Sequence, residues 1–334
     1  MTAVPSSSPI AQAATRRAAI PDIADGSTTA WRVLDGMGDG LPGAEIDNYG
    51  GHWVVQTRDA PFPEMLRRTL PEGCRSVWWK RLDQQNKQAP QPVLGDFPQA
   101  PFQVRELGLN YEIDLTAGYS QGLFLDQRLQ RMRMLERLHS WQAQPQRQPQ
   151  ELSSRPVDPP GDPEARPRVL NLFSYTCAFS VAAASAGALT TSVDLSRPYL
   201  EWGKRNMELN GLDAAAHFFC RGDSFDWLRR FAKSGRKWDG IVVDPPTFSR
   251  NADGRLFRVE HDFPALAAAC LAVLAPGGWL LASTNHRGLT SERFEILVRD
   301  GAALAGRRIQ DVEWGRMPPD FTAAPYLKAL WISV

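Results

Sequence analysis

The sequence predicts an α/β protein: a doubly wound, mostly parallel sheet with an antiparallel C-terminal hairpin, plus a small N-terminal α+β domain. Three observations carry that reading. From Arg168 onward, short apolar runs rich in β-branched and aromatic residues (RVLNLF, LTTSVD, AHFFC, WDGIVVD, GGWLLAST) alternate with helically spaced stretches (AFSVAAASAG, SRPYLEWGKRNMELNG, SFDWLRRFAKSG, HDFPALAAACLAVLAPG). Strand and helix in alternation build a parallel sheet covered by helices. The final runs, RRIQDVEWGR and LKALWISV, read as an antiparallel hairpin at one sheet edge. Before Leu115, by contrast, strands predominate and one helix is signalled.

With 334 residues, 43% apolar and 22% charged, the chain can bury a full α/β core and one accessory domain. No apolar run reaches the roughly 18 residues of a membrane span. No apolar segment follows a basic start either, so no signal peptide is expected and the predicted location is cytoplasmic. Cys74, Cys177, Cys220 and Cys270 are scattered without a CxxC pair, so neither a metal site nor a disulfide framework is expected. The formal net charge of +1 gives no overall nucleic-acid signature. Any RNA contact must come from a local patch.

Taken in order, residues 1–27 read as a disordered leader. Residues 28–118 form the α+β domain, a candidate for RNA recognition. AEIDNYGGHWVVQT is strand, turn and strand, with Asn48 to Gly51 supplying the positive-φ positions. PFPEMLRRTL has helical spacing of Met65, Leu66 and Leu70. SVWWKR is a strand, and FQVRELGLNYEIDL is a hairpin pivoting near Gly108. In SVWWKR, Trp78, Trp79, Lys80 and Arg81 form either a stacking and phosphate surface or a half-buried strand. Residues 119–143 are a junction and a helix capped by Asp126, with Leu129, Met132, Leu135, Leu138 and Trp141 at helical spacing. Its arginines, Arg128, Arg131, Arg133 and Arg137, are expected to form a solvated basic face. Residues 144–168, with seven prolines between Pro145 and Pro167, make a flexible linker. The Asp158-Pro159-Pro160 inside it follows no apolar strand and is set aside. Residues 169–334 form the alternating domain.

In an open α/β sheet, ligands sit beyond the carboxyl ends of the strands. Candidate residues are therefore the first ones after each strand. After the first strand stands Asn171-Leu172-Phe173-Ser174-Tyr175-Thr176, a turn expected to aim backbone N–H groups and a helix N-terminus at a ligand. Asp194 ends the second strand, about 20 residues after that loop begins, where a carboxylate accepts both ribose hydroxyls of a nucleoside. Leu195 adjoins it, and Ser196 caps the next helix. After the third strand, Asp223 is placed to accept from an adenine amino group, with Ser224 beside it. The glycine fingerprint G-x-G-x-x-G of dinucleotide-binding folds is absent. An adenosine cofactor without phosphates, such as S-adenosylmethionine, has no need of it.

WDGIVVDPPTFS is the most specific signal. Asp244 ends a buried strand, and Pro245 and Pro246 stiffen the turn after it. Thr247 and Phe248 follow, and such a loop can press a flat base against Phe248 while its carbonyls receive base N–H groups. Asp244 is expected to serve cofactor and base alike. Asn285, His286 and Arg287 follow the fifth strand as candidate base or phosphate contacts, and His286 reads equally well as a capped loop residue.

These segments, with DGLPGAEIDNYG, QGLFLDQR, VLNLFSYT, VDLSRPYLEWGKRNMELNGL and STNHRG, resemble the large-subunit ribosomal RNA base methyltransferases. That is a class I, S-adenosylmethionine-dependent family with cytosine-C5 and guanine-N7 enzymes. The resemblance runs from about Arg32 to the C-terminus. It implies S-adenosylmethionine as cofactor, ribosomal RNA as partner, and closure of Phe124, Gln127 and Arg128 over the cofactor. Cys177 stands where the family commonly has glycine, and no added RNA-binding module is evident. VDLSRPYLEW with DPPTFS looks closest to the guanine-N7 branch.

Chemistry separates the branches. Cytosine C5 becomes nucleophilic only after a cysteine thiolate adds to C6. The loops DPPTFS and STNHRG carry no cysteine. Guanine N7 offers an in-plane lone pair and needs only positioning. Methylation of another RNA base by the same site is one alternative; methylation of a protein amide or a small molecule is a second, which predicts activity on RNase-treated extract. A non-catalytic RNA-binding assembly factor is a third, which predicts RNA binding that survives loss of Asp244.

Overall fold

In a computed structural model, residues 8–83, 88–142, 166–250 and 256–334 are described. They divide into two compact units, Met1–Arg128 with Met317–Pro325, and Leu129–Arg316 with Tyr326–Val334. These differ from the linear boundaries expected at 118, 143 and 168. The junction is cut at Arg128, and a late segment returns to the first unit.

The first unit is built on a five-stranded sheet in the order β1 (Ala30–Asp35), β2 (Ala44–Tyr49), β3 (His52–Thr57), β4 (Ser76–Arg81), β5 (Gln91–Gly95). The β3–β4 pair is parallel and the other pairs are antiparallel. Gly50 and Gly51 join β2 to β3 at φ 60° and 95°, a tight turn that favours glycine. A separate hairpin, β6 (Phe102–Glu106) and β7 (Leu109–Ile113), turns on Leu107 and Gly108, both at positive φ.

Two expectations are corrected here. PFPEMLRRTL forms only a 3-10 turn, Glu64–Arg67, because Pro63 and Pro71 bracket too little chain for an α-helix. It still buries Leu66. The leader, from Ser8 on, is ordered. Pro9–Ala18 is a helix whose Ser8 hydroxyl accepts the Ala11 N–H at 3.2 Å. Its Ile10 and Ala13 enter the core formed by Val33, Ile46, Trp53 and Val55. Arg17 on the same helix is buried against Asp39 at 2.6 Å. Residues 1–7 lie outside the described residues.

The tryptophan platform also resolves. Trp78 is buried and donates to the Ser76 hydroxyl, while Trp79 donates to Thr57 and packs edge-on against Phe62. Lys80 is buried with its ammonium 4.0 Å from the Tyr119 ring centre, so this strand is core. Only Arg81 is exposed, and it pairs with Asp83.

Segment 317–325 explains why linear boundaries failed. Asp320 is fully buried and accepts the Arg128 guanidinium at 2.6 and 3.3 Å and the Arg32 N–H at 2.8 Å. The Phe321 ring lies 4.5 Å from the Arg32 guanidinium, which itself bridges Asp35 and Asp47. Burial pushes the Asp47 carboxyl up from the usual carboxylate range, against the pull of Arg32.

The expected solvated basic face is likewise overturned. Arg128 is 1% exposed and also pairs with Asp22, and it opens the helix Arg128–Gln142 after a 3-10 turn that contains Asp126. In the second unit Arg131 is buried with its guanidinium 5.4 Å from the Phe179 ring centre. Arg133 and Arg137 lie over Trp331 and pair with Glu313. Arginine stems cover apolar surface while their planar heads stack on rings, so charge on a helix need not face water. The linker and its Asp158-Pro159-Pro160 fall outside the described residues, apart from residues 166–168.

The second unit holds the expected sheet. Its order is β10 (Phe218–Arg221), β9 (Leu189–Asp194), β8 (Arg168–Leu172), β11 (Trp238–Val243), β14 (Leu274–Thr284), β16 (Lys328–Ser333), β15 (Asp311–Trp314). The first five run parallel, and β16 is antiparallel to both β14 and β15. The hairpin therefore closes the edge with β16 inserted between β14 and β15. Helices Val259–Val273 and Ser291–Leu304 bury Phe263, Leu266, Phe294 and Leu297 in the core.

Candidate active site

Strand β8 stands at the middle of this order, with β9 and β10 on one side and β11 and β14 on the other. Crossovers leave in opposite directions there, which opens a crevice at the carboxyl ends. The registers Leu172↔Val193, Leu172↔Val243 and Val243↔Ala282 align the strand ends. The residues one step beyond, Phe173, Asp194, Asp244 and Ser283, consequently form a row along that edge.

The loop after β8 alternates in backbone sign, with Phe173, Tyr175 and Cys177 at φ 54°, 49° and 63°. Left-handed backbone is unfavourable for such residues and persists only where the surroundings hold it. The holding bonds are Ser174 N–H to Val193 O, Tyr175 N–H to Asp194 Oδ2, and Cys177 N–H to Ser174 O. Asn206 donates to Thr176 O at 3.0 Å, and Asn171 donates to Ser180 at 2.9 Å. Asn171, Ser174 and Thr176 are thus buried framework, whereas Phe173 and Tyr175 stay partly exposed. Three N–H groups expected to face a ligand turn inward instead, which suits a cofactor with no pyrophosphate.

Cys177 caps the helix Ala178–Ser185 and is fully buried. A Cβ on Gly203 of the facing helix would lie 2.4 Å from its sulfur, so Gly203 is what admits a cysteine here. Gly203→Ala is expected to destabilise the protein by about 1–3 kcal/mol through overpacking. Adding Cys177→Gly, which also removes the Cβ 2.8 Å away, should recover most of the loss in urea unfolding. Strictly additive losses would refute that packing account.

Asp194 is partly buried, and burial pushes its carboxyl up against the lowering effect of backbone bonds from Ser196 and Tyr175. Its Oδ1 accepts from Ser196 and its Oδ2 from Tyr175, at 2.8 and 2.9 Å. Each carboxylate oxygen has a second lone pair, so the pair still matches the two hydroxyls of a ribose. Leu195, 41% exposed, offers an apolar face beside it. Asp223 caps the helix Ser224–Lys233 through Oδ1, accepting from Phe225 and Asp226, which leaves Oδ2 for an amino group. Ser224 is buried. A ribose acceptor, an apolar face and an amino acceptor, without a phosphate cradle, fit S-adenosylmethionine.

On the other side of β8, the buried Ser283 hydroxyl donates to Asp244 Oδ1. Pro245 is buried and Pro246 exposed. Thr247 Oγ1 donates to Asn285 Oδ1 at 3.1 Å, and the chain then enters β12 (Phe248–Arg250), paired with β13 (Leu256–Arg258). The Phe248 side chain and residues 251–255 lie outside the described residues.

His286 is held on its own loop. Its Nδ1 accepts from Gly288 N–H at 2.9 Å, and its Nε2 lies 3.2 Å from Glu260. Arg287 stacks on Tyr326 at 4.3 Å. Phe124, 45% exposed, and Gln127 and Arg128, both buried, belong to the first unit. Ser283, Gly203, Asn206, Glu260 and Lys328 escaped sequence reading. Only Ser283 carried a signal, as the last-but-one residue of the fifth apolar run.

None of the four cysteines stands on the loops after β11 and β14. Burial pushes the Cys74 and Cys177 thiols up to about 12, Cys220 to about 11, and Cys270 higher still.

Comparison with known proteins gives the family. The family model of S-adenosylmethionine-dependent methyltransferases matches residues 160–332. Ribosomal RNA large subunit methyltransferase I of Klebsiella pneumoniae is 31% identical over 315 residues, covering 91% of this chain and 72% of that protein. A ribosomal RNA large subunit methyltransferase of Deinococcus radiodurans is 32% identical over 339 residues, covering 96% and 76%. Among solved structures, SMU.776, described as a methyltransferase and complexed with S-adenosylhomocysteine, superposes with a TM-score of 0.79. It is 28% identical and covers 97% of this chain and 80% of its own. The chain belongs to the S-adenosylmethionine-dependent methyltransferases, in the family that includes the ribosomal RNA large subunit enzymes.

Proposed function

We propose that the chain methylates a base of large-subunit ribosomal RNA, at guanine N7. The observation that carries the choice of atom is the state of its cysteines. Cytosine C5 chemistry needs a thiolate beside the base, and all four thiols here are buried or half-buried and pushed far above the ordinary range. Guanine N7 needs neither thiolate nor general base, since its lone pair forms the new N–C bond and no proton leaves.

When bound, S-adenosylmethionine supplies a methyl group already activated by its sulfonium. In this reading Asp194 holds the ribose, and the rigid Pro245-Pro246 turn holds the base. The ring gains positive charge as the methyl arrives, and the Asp244 carboxylate, fixed by Ser283, answers that charge. The first unit is the proposed RNA-contacting part, supported by exposed Arg58, Arg68, Arg75 and Arg105.

The test uses RNA carrying 5-fluorocytidine, which traps a cysteine adduct when C5 is the target. The same RNA that accepts label in unsubstituted form should yield no adduct stable to denaturing electrophoresis. A stable adduct would contradict the guanine reading.

A further inference from the structure

We propose that Asn285 selects guanine over adenine by donating to O6, and that Thr247 fixes the asparagine in the orientation that does so. The inference rests on the guanine-N7 reading and names the residue that reads the base.

Asn285 follows β14 directly, two residues after Ser283, whose hydroxyl holds Asp244. Its side chain is exposed at the carboxyl edge, while the loop beneath it is fixed from several sides. His286 N–H donates to Thr284 Oγ1, Lys328 Nζ donates to His286 O at 2.8 Å and to Tyr326 O at 2.9 Å, and Gly288 N–H donates to His286 Nδ1. The His286 Nε2 contact with Glu260 completes the set. An exposed amide on such a braced loop is presented for contact.

The amide itself is oriented. Thr247 Oγ1 donates to Asn285 Oδ1 at 3.1 Å, which takes one of the oxygen's two lone pairs and sets the Nδ2 end opposite Thr247. An asparagine with both ends available reads adenine, accepting from N6 and donating to N7. Held with that oxygen toward Thr247, it turns its donor end rather than its acceptor end to the base. Guanine shows two acceptors on that edge, O6 and N7, whereas adenine shows an amino group in place of O6. Because N7 must stay open for the incoming methyl group, the donor belongs on O6. Thr247 and Asn285 come from the loops after β11 and β14, neighbouring strands, so the bond also ties the two loops that flank the base.

The experiment measures methyl transfer to large-subunit ribosomal RNA from cells lacking this gene, with nucleoside analysis and S-adenosylhomocysteine affinity for each variant. Asn285→Ala should lower kcat/KM about 10-fold to 100-fold, the range for one lost hydrogen bond to a polar group. Asn285→Asp places a carboxylate against O6 and should lower it at least about 100-fold. Thr247→Val should lose about tenfold more activity than Thr247→Ser, because only serine keeps the hydroxyl donor. S-adenosylhomocysteine affinity should change less than about twofold, since the asparagine lies outside the ribose and adenine contacts. Asn285→Asp within threefold of wild type, with 7-methylguanosine as the wild-type product, would overturn the role of Asn285 alone. A wild-type product other than 7-methylguanosine would overturn the guanine reading itself.

Discussion

Asp244→Ala is expected to abolish methyl transfer while the protein remains folded. The carboxylate stands in the row with Phe173 and Ser283 at the carboxyl edge, and the Ser283 hydroxyl fixes it. A preorganised charge of this kind is worth about 10²–10³ in rate. Disturbing the Pro245-Pro246 turn adds to the loss. Stability should fall modestly, by about 1–3 kcal/mol, because the buried Ser283 hydroxyl loses its acceptor. Asp244→Asn keeps the shape and one acceptor oxygen but not the charge, and is expected to fall between. Turnover of the alanine variant within tenfold of wild type, measured with saturating cofactor, would remove Asp244 from the mechanism.

The second large effect is on the cofactor. Asp194→Ala should weaken S-adenosylhomocysteine binding by about 10²–10⁴-fold, from two lost hydrogen bonds to a charged acceptor. The same change frees the N–H groups of Tyr175 and Ser196, so the left-handed loop at residues 173–177 loses one of its anchors. The pH dependence has a definite sign. Burial raises the Asp194 carboxyl, and the ionised form is the one that accepts ribose hydroxyls. Affinity should therefore be full well above that raised value and fall as pH drops through it, earlier than for an ordinary carboxylate. Calorimetric titration of the alanine variant within fivefold of wild type would contradict this assignment.

The catalytic sheet was legible because each of its strands announces itself locally. RVLNL, LTTSVD and WDGIVV are short runs of almost wholly buried residues carrying apolar and β-branched side chains, and the residue at or just past each end falls at the crevice by topology alone. Asp194 and Asp244 could be named from that rule. What the rule does not give is which side-chain partners meet. Ser283 meets Asp244, and Thr247 meets Asn285, across strand neighbours 39 and 38 residues apart in the chain. Gly203 shows the same limit. It reads as an ordinary helix glycine until the Cys177 sulfur is found against it.

Misreadings had physical causes as well. The Pro9–Ala18 helix is rich in alanine with only Ile10 as a large apolar residue, so its stability comes from docking on the sheet rather than from a visible apolar stripe. The arginines of the Arg128–Gln142 helix look solvated because their partners, Asp22, Asp320, Glu313 and Trp331, lie far away in sequence. The same long-range pairing returns residues 317–325 to the first unit, which no composition shift marks.

Methylation of guanine N7 in large-subunit ribosomal RNA leaves a distinct nucleoside. Radiolabelled S-adenosylmethionine is incubated with the protein and ribosomal RNA from cells lacking this gene, and the RNA is digested to nucleosides. Label is expected in 7-methylguanosine. Label in 5-methylcytidine, or none in RNA from a protein that binds cofactor, would contradict it.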